Sequence, residues 1–523
     1  MTLDNASCYR ALTARDPRFD GVFFVGVTST GIYCRPVCRA RTPRRANCRF
    51  FANAAAAERT GFRPCLRCRP ELAPGRSQVE STTVLAENAA RRIAAGALNG
   101  ASVDDLAGEL AVTSRHLRRS VQQHLGVSPI ELATTHRLLL AKRLLHDTTL
   151  PVAQVAFASG FESPRRFNDA FKRRYRLAPG ALRRQARSGH TYEAPAANAT
   201  GDARRASPSH DEREAVKLAL EYRRPLDWDA LLAFLAARAT PGVEHVAGGS
   251  YSRSIFLGGH AGEFSVAPSE RRKAERHTLT ATVSPSLLPV LMPLLARLRD
   301  LFDLDANPEV IAAQLTGAGV PGDAATVAGT RIPGSVDGFE LTVRAILGQQ
   351  VSVRGATTLM GRFVRTFGEP YDGANPAITF LTPTATRVAR ATARELASLG
   401  LPASRAAAVR RLAESVAAGD ISLAPGADAK RAMGQLVALP GIGDWTANYV
   451  AMRALRWPDA FPAGDLALRK AAGGITPGAL VKLAERWRPW RAYAAMALWR
   501  SLSSARPPLS AKPEKAARDR ARR

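Results

Sequence analysis

LPVAQVAFASGFESPRRFNDAFKRRYRLAPGALRR, residues 150–184, decides the fold class of the middle of this chain. Val152, Val155 and Ala156 recur at helical spacing, and Phe167, Phe171 and Tyr175 do so again after a break. The break holds Gly160, which suits a left-handed turn, and Ser163-Pro164, a serine cap followed by proline at the first helical position. The second helix, SPRRFNDAFKRRYR, carries six basic residues and one acid. A short helix, a turn and a basic helix with its aromatic face inward is the plan of a helix-turn-helix unit.

That plan occurs twice. At an offset of 49 residues, Val103, Leu106 and Ala107 match Val152, Val155 and Ala156, and Ser114 matches Ser163. Leu110 continues the first face. Ser114 is the expected N-cap of RHLRRSVQQHLG, whose Leu117, Val121 and Leu125 share a face. An amphipathic helix near Ile130–His146 joins the units. The exposed major-groove candidates are Arg115, His116 and Arg119 on the first helix, and Arg165, Arg166 and Asn168 on the second. A single such pair could be a solvated bundle, but the duplication favours a DNA reader. The stretch closely resembles the AraC family of transcription regulators over roughly residues 85–185. The resemblance implies an all-α double helix-turn-helix domain, placed at 79–186, that reads promoter DNA.

Charge and composition agree with a nucleic-acid partner. The 523 residues include 74 Lys+Arg against 45 Asp+Glu, a net charge of +29. Such a surplus attracts polyanions. With 46% hydrophobic and 23% charged residues the chain can bury cores, and its length predicts about three or four domains. There is no uninterrupted apolar run of membrane-spanning length and no basic-then-apolar leader in Met1–Asp16. The expectation is a cytoplasmic, nucleoid-associated monomer without membrane contact. Its partner is double-stranded DNA, with RNA polymerase as a candidate protein partner.

All six cysteines, Cys8, Cys34, Cys38, Cys48, Cys65 and Cys68, lie in the first 68 residues. Clustering in one segment of a long chain speaks for metal or reactive thiols rather than a disulfide scaffold. The pairs Cys34-x3-Cys38 and Cys65-x2-Cys68 have the spacing of a four-cysteine zinc site, one Zn2+ and no organic cofactor. Cys8 and Cys48 read as buried or partly exposed small residues. A purely structural zinc knuckle is the bland reading. However, FFVGVTSTGIYCRPVCRARTPRRANCRFFANAAAAERTGFRPCLRCRPE closely resembles the N-terminal domain of the bacterial Ada response protein, over roughly residues 1–75. The resemblance implies a small zinc-stapled α/β domain at 1–78, in which Cys34 is both zinc ligand and methyl acceptor. Zinc keeps the thiols deprotonated, and a thiolate is the nucleophile. Methylating one thiolate takes a negative charge from the centre. One unit-charge pair at ~6 Å is worth about 3 kcal/mol at an effective dielectric of ~20, so methylation would tighten binding to a phosphate backbone. Nine arginines and one acid, Glu58, lie between Cys34 and Cys68, and those arginines are expected to hold the backbone.

Residues 187–213 lack hydrophobic periodicity and read as a flexible linker. Then LALEYR, Ser250–Leu257, Glu263–Ala267 and Thr278–Val283 lean to strand, with helices at Asp229–Arg238 and about Leu288–Leu304. From about Gly338 to Leu502 the chain reads as helical, and the basic tail 506–523 as disordered. Within the helical part, LPGIGDWTANYV (439–450) is a glycine hairpin entering a helix. Gly441 and Gly443 are expected to turn the backbone tightly and expose N–H groups to phosphate. VRAILGQQVSV (343–353), this hairpin, FPAGDLALRK (461–470) and AERWRPWRAYAAMALWR (484–500) follow in the order of the helix-hairpin-helix DNA glycosylases. Together they resemble the AlkA-type 3-methyladenine glycosylases over about residues 215–503. The resemblance implies a TBP-like α+β lobe at 214–327 and an all-α glycosylase domain at 328–505. It makes Asp465 the catalytic carboxylate, and Trp445, Tyr449, Trp499, Gln349 and Gln350 the substrate pocket. Bifunctional relatives have a lysine where Trp445 stands, so hydrolysis without strand cleavage is expected. Aromatic faces would hold a cationic alkylated base. Gln350 stands in place of the family's apolar wedge and Leu466 in place of a residue that is often aromatic. No cysteine follows Cys68, so the O6-alkylguanine methyltransferase that usually ends an Ada protein is not expected.

The whole is thus expected to be a mainly α, multi-domain alkylation-repair protein and transcription regulator. It would transfer methyl groups from DNA methylphosphotriesters to Cys34, bind promoters, and excise bases such as 3-methyladenine. The alternative is a regulator whose glycosylase half only binds DNA.

Overall fold

A computed structural model describes residues 4–74, 84–188, 215–269, 277–320 and 324–504. The expected linker beyond residue 188 and the tail 506–523 lie outside the described residues. The described parts are mainly helical with small sheets.

The N-terminal unit has α1 (Asn5–Ala14), β1 (Phe24–Val27), β2 (Ile32–Cys34), β3 (Cys48–Phe51), α2 (Ala54–Arg59) and β4 (Arg63–Pro64), with sheet order β3-β1-β2-β4. Strands β2 and β4 run parallel with Tyr33 opposite Pro64, and the Cys65 N–H donates to the Tyr33 carbonyl at 3.0 Å. This pairing sets Cys34, the last residue of one strand, beside Cys65, the first past the other. A turn closed by the Cys38 N–H on the Arg35 carbonyl, 3.1 Å, brings Cys38 back to them.

The next unit is all-helical: α3 (Val84–Ala94), α4 (Val103–Glu109), α5 (Ser114–Leu125), α6 (Pro129–Asp147), α7 (Val152–Ala158), α8 (Pro164–Tyr175) and α9 (Pro179–Ser188). The helix pairs α4–α5 and α7–α8 are the two expected units. Gly160 has φ +86°, and its counterpart Ala111 adopts the same left-handed turn at φ +54°, where a Cβ costs about 1–2 kcal/mol. Ser163 caps α8, accepting the Arg166 N–H at 3.2 Å. On α5 the cap is Thr113, which accepts the His116 N–H at 3.3 Å, and not Ser114. Thr113 is the last extended residue and Ser114 is already helical, so the repeat slips by one residue there.

Helix α6 also departs from expectation. Residues Leu138 to Leu145 are buried without a break, so this half of the helix is covered on all sides. The Lys142 ammonium donates to Glu71 Oε2 at 2.6 Å and to the Cys65 carbonyl at 3.3 Å, while the neighbouring Arg143 donates to the Ala219 carbonyl. The zinc-type unit thus packs on one side of α6 and the following lobe on another. These partners come from distant sequence, which helical periodicity cannot register.

That lobe is an antiparallel sheet of β5 (Val216–Glu221), β6 (Glu244–Ala247), β7 (Ser250–Leu257), β8 (His260–Pro268) and β9 (Thr278–Val283), in the order β5-β9-β8-β7-β6. It carries α10 (Trp228–Ala236), α11 (Leu291–Leu301) and α12 (Pro308–Gly317). The helix expected from Leu288 begins as a 3-10 turn, Pro285–Val290, with Pro289 inside it; proline lacks the N–H an α-turn needs. Edge strand β6 is four residues long and went unread, as did the two-residue ladder Glu369–Pro370 with Phe380–Leu381. One buried apolar cluster runs from Leu144, Val155 and Phe171 of the helical unit into Leu220, Leu291 and Leu298 of the lobe. The second helix-turn-helix unit and the lobe therefore share a core. The remaining helices of the C-terminal part enclose two further cores.

Candidate functional site

The four paired cysteines come together. Cys34, Cys38, Cys65 and Cys68 place their sulfur atoms within 4.8 Å of one another. A tetrahedral zinc with Zn–S of ~2.3 Å needs S···S edges of about 3.8 Å, so the cluster fits one Zn2+. Cys38, Cys65 and Cys68 are buried, and Cys34 is the more open of the set. Backbone N–H groups point at the sulfurs, Arg35 on Cys68 at 3.4 Å and Arg67 on Cys65 at 3.3 Å. Cys8 is buried and Cys48 partly exposed, both outside the cluster.

Two charged residues near the thiols do not behave as expected. The Arg35 guanidinium is buried, bonded to both Asp20 oxygens and to Glu221 of β5, the latter at 2.6 Å. It is spent on holding the lobe and cannot also hold a DNA backbone. Glu58 does not offset the surface arginines, because it is buried. It accepts from the Tyr33 hydroxyl at 3.0 Å and the Thr135 hydroxyl at 3.1 Å, and faces Arg174 of α8 at 3.4 Å. Burial pushes its carboxyl up to about 7, although Arg174 pulls the other way. Sequence spacing could not show that both residues meet partners far along the chain.

On the helix-turn-helix pair, Arg115, His116, Arg119, Arg165 and Arg166 are exposed and Asn168 is half-buried. Arg166 pairs with Glu162 at 2.8 Å, but both side chains are mostly exposed, and such a pair holds only weakly.

The C-terminal site is built around Asp465. Asp465 follows a turn closed by its own N–H on the Pro462 carbonyl at 2.9 Å, and its side chain caps the helix Leu466–Ala471, with Oδ1 accepting the Leu468 N–H at 2.9 Å. The same Oδ1 accepts the Trp499 indole N–H at 3.1 Å, and Oδ2 accepts that of Trp445 at 3.0 Å. Asp465 is thus both helix cap and a carboxylate gripped by two indoles. Trp445 stacks on Tyr449 with centroids 5.3 Å apart and an interplanar angle of 12°, and Tyr449 meets Trp499 edge-on at 6.5 Å. Asn448 steadies the preceding loop, its amide oxygen accepting the Phe461 N–H at 3.1 Å.

The hairpin glycines divide their roles. Gly441 has φ +92°, and a Cβ there would lie 2.9 Å from that of Ala408. Gly443 has an ordinary extended backbone and caps the helix Asp444–Arg453, so it does not need a left-handed turn. Its surroundings are open. Gln349 is tied to this hairpin, its amide donating to the Gly441 carbonyl at 3.0 Å and to Thr446 at 3.2 Å. Gln350 is exposed with φ +57°, and Leu466 is 75% exposed.

Sequence reasoning missed the arginines behind the aromatic wall. Arg453 donates to the Tyr449 hydroxyl at 2.5 Å and lies 5.3 Å from that ring's centroid. Arg238, from the lobe, lies 3.7 Å over Phe234. Burial pushes the Tyr449 phenol up, but Arg453, Arg238 and Arg344 outweigh it and hold it below its ordinary value. The Tyr449 ring is thus already engaged by a guanidinium. Arg453 stands four residues after Tyr449 and was legible as a helical neighbour; Arg238 comes from another domain and was not.

Four family models match: the metal binding domain of Ada over residues 7–71, a helix-turn-helix domain over 106–185, the AlkA N-terminal domain over 217–337, and the HhH-GPD superfamily of base excision DNA repair proteins over 343–476. A probable bifunctional transcriptional activator/DNA repair enzyme AlkA of Mycobacterium tuberculosis is 40% identical over 507 residues, 95% of this chain and 97% of that one. DNA-3-methyladenine glycosylase 2 of Escherichia coli is 40% identical over 280 residues, 54% of this chain and 95% of that one. The bifunctional transcriptional activator/DNA repair enzyme Ada of Escherichia coli is 38% identical over 122 residues, 23% of this chain and 33% of that one. With its thiol cluster, paired helix-turn-helix units and indole-held carboxylate in one polypeptide, the chain belongs to the family of fused Ada/AlkA proteins.

Proposed function

We propose that this protein accepts methyl groups from DNA methylphosphotriesters on Cys34, binds promoter DNA through α5 and α8, and excises alkylated bases such as 3-methyladenine by hydrolysis at Asp465. The observation that carries the excision reading is the double indole grip on Asp465. Cleaving the glycosidic bond builds positive charge on the sugar. A carboxylate whose oxygens accept three fixed N–H donors stays in one rotamer, ready to stabilise that charge. Trp445 stands where a lyase would need an amine, so the product is an intact strand with an abasic site. A cationic base leaves readily and gains about 0.5–2 kcal/mol from an indole face. The base must first leave the helical stack.

For methyl transfer, Cys34, Cys38, Cys65 and Cys68 would hold a zinc ion, which would keep their thiols deprotonated and nucleophilic. The Cys34 sulfur attacks the methyl carbon, the C–O bond breaks, and the phosphate leaves as a diester anion. The resulting thioether is neutral and stable, so each chain acts once. Its lost charge weakens repulsion of DNA phosphates, which links damage to promoter affinity.

One experiment tests the excision reading. Protein is incubated with a duplex holding one 3-methyladenine, with and without borohydride. The expected product is a strand cut only after alkali, with no trapped covalent adduct. An adduct, or no abasic product, would overturn it.

A further inference from the structure

The zinc-type unit and the AlkA-type lobe do more than touch: a cavity of about 880 Å³ lies in their seam. Arg39, Arg67 and Cys68 line it from the zinc side, and Tyr222, Arg224 and Asn307 from the lobe. Polar contacts tie its two walls together. Arg35 joins Asp20 to Glu221, and Arg223 of the lobe donates to the Asp20 carbonyl at 2.7 Å and the Asp305 carbonyl at 2.8 Å.

The lining is strongly positive. It contains seven arginines against three carboxylates, Asp20, Glu221 and Glu309. Arg35 takes up the first two; Arg18 is bonded to Asp16, just outside the lining, at 2.6 Å and also reaches Glu309 at 3.5 Å, so the seven arginines face four carboxylates in all. The excess exceeds the charge of −2 that a zinc–tetrathiolate centre behind the wall would carry. Arg224 is exposed and makes no hydrogen bond or ion pair among the described residues. Asn307 is an independent sign of a ligand. It is 4% exposed, it caps nothing although it stands at the start of α12, and its side-chain oxygen has no partner. A buried amide left unsatisfied costs about 1–3 kcal/mol, which a ligand in the cavity would recover. The amide can rotate to present its NH2 donors to an anion.

We propose that this seam is a binding site for a nucleotide phosphate, with Arg224 and Asn307 on the phosphate and Tyr222 offering a ring to the base. Clefts of this size at domain interfaces are common small-ligand sites, and arginine with an aromatic ring is a combination suited to nucleotides. The phosphate can come from a free nucleotide or from a DNA strand led toward the zinc centre. The site belongs to the fusion itself, since neither module alone has both walls.

Titration calorimetry on the zinc-loaded full chain tests it, with inorganic pyrophosphate, deoxyadenosine diphosphate and a short single-stranded oligonucleotide as probes. The expected result is one saturable site for the diphosphate. Arg224→Ala and Asn307→Ala should each weaken it by about tenfold, the loss of one charge-assisted hydrogen bond. Lys482→Ala, which removes an exposed lysine elsewhere, should leave it unchanged. Base excision by Arg224→Ala should match wild type. If the oligonucleotide displaces the diphosphate, DNA is the source; if it does not, a free nucleotide is. Circular-dichroism melting checks that Asn307→Ala is folded, and Arg224→Ala, at an exposed position, stands as the second variant. The absence of saturable binding by any probe, an equal loss in Lys482→Ala, or unchanged affinity in Arg224→Ala would overturn the proposal.

Discussion

Replacing Asp465 by Asn separates the charge of the carboxylate from its shape, and the structure says what each is worth. The side chain accepts at 2.9 and 3.1 Å on Oδ1 and at 3.0 Å on Oδ2. Asparagine is as good a helix cap as aspartate, so its oxygen can keep the Leu468 and Trp499 donors. Its NH2 then faces the Trp445 N–H, donor against donor. That clash costs about 1–3 kcal/mol and should appear as a lowered melting temperature. The lost charge should appear in the chemistry, as about 3–4 kcal/mol of barrier, or 100- to 1,000-fold in rate. Trp445→Phe is the control, since it leaves the carboxylate charged and removes one donor; about tenfold is expected there. The assay is single-turnover release of 3-methyladenine from a labelled duplex, read after alkali, with DNA binding followed by fluorescence anisotropy. Binding should survive because the Gly441 hairpin is untouched. An Asp465→Asn rate within about tenfold of wild type, or a Trp445→Phe loss equal to it, would refute the assignment of charge stabilisation to this carboxylate.

Three further outcomes are expected. Cys34→Ala should abolish methyl uptake from methylphosphotriester DNA, measured by intact-protein mass, and wild type should take up no more than one methyl per chain; methylation of Cys38, Cys65 or Cys68 in the variant would contradict this. Arg165→Ala and Arg166→Ala should weaken promoter binding in a salt-dependent way while excision on separate lesion duplexes is unchanged, since both side chains are exposed on α8; a parallel fall in excision would show that the shared core transmits more than support. Finally, Glu58 titrates at about 7 when folded because burial raises it from 4.5. Its protonated form favours the fold, so its contribution is complete below pH 4.5 and is lost as pH rises through about 7. Glu58→Gln should therefore gain on wild type by roughly 3 kcal/mol between pH 4.5 and 8 in urea melts; a difference that does not vary with pH would disprove the buried, raised carboxyl.

The parts of this protein that are local in sequence were legible without a structure. The duplicated helix-turn-helix units follow from periodicity and from Ser163-Pro164, because caps and apolar faces act within a few residues. The paired cysteines follow from spacing, while Asp465 and Trp445 were singled out by the resemblance of their motifs to the AlkA-type glycosylases. Even so, local signals fixed ends only approximately, as Thr113 rather than Ser114 on α5 and the 3-10 turn before α11 show. What only the tertiary structure decided are contacts between residues hundreds of positions apart. In the sequence Arg35 is one of nine arginines expected to hold a DNA backbone, and Glu58 the one acid among them. Burial against Glu221, Tyr33, Thr135 and Arg174 turned one into a strut between domains and the other into a titrating core group. Helix α6 read as amphipathic until domains on either side covered it. The core shared by α7, α8 and the AlkA-type lobe, and the cation-lined seam beside it, have no sequence signature at all. Hydrophobic and charge patterns specify which faces need a partner, and only the packed chain determines which partner each face receives.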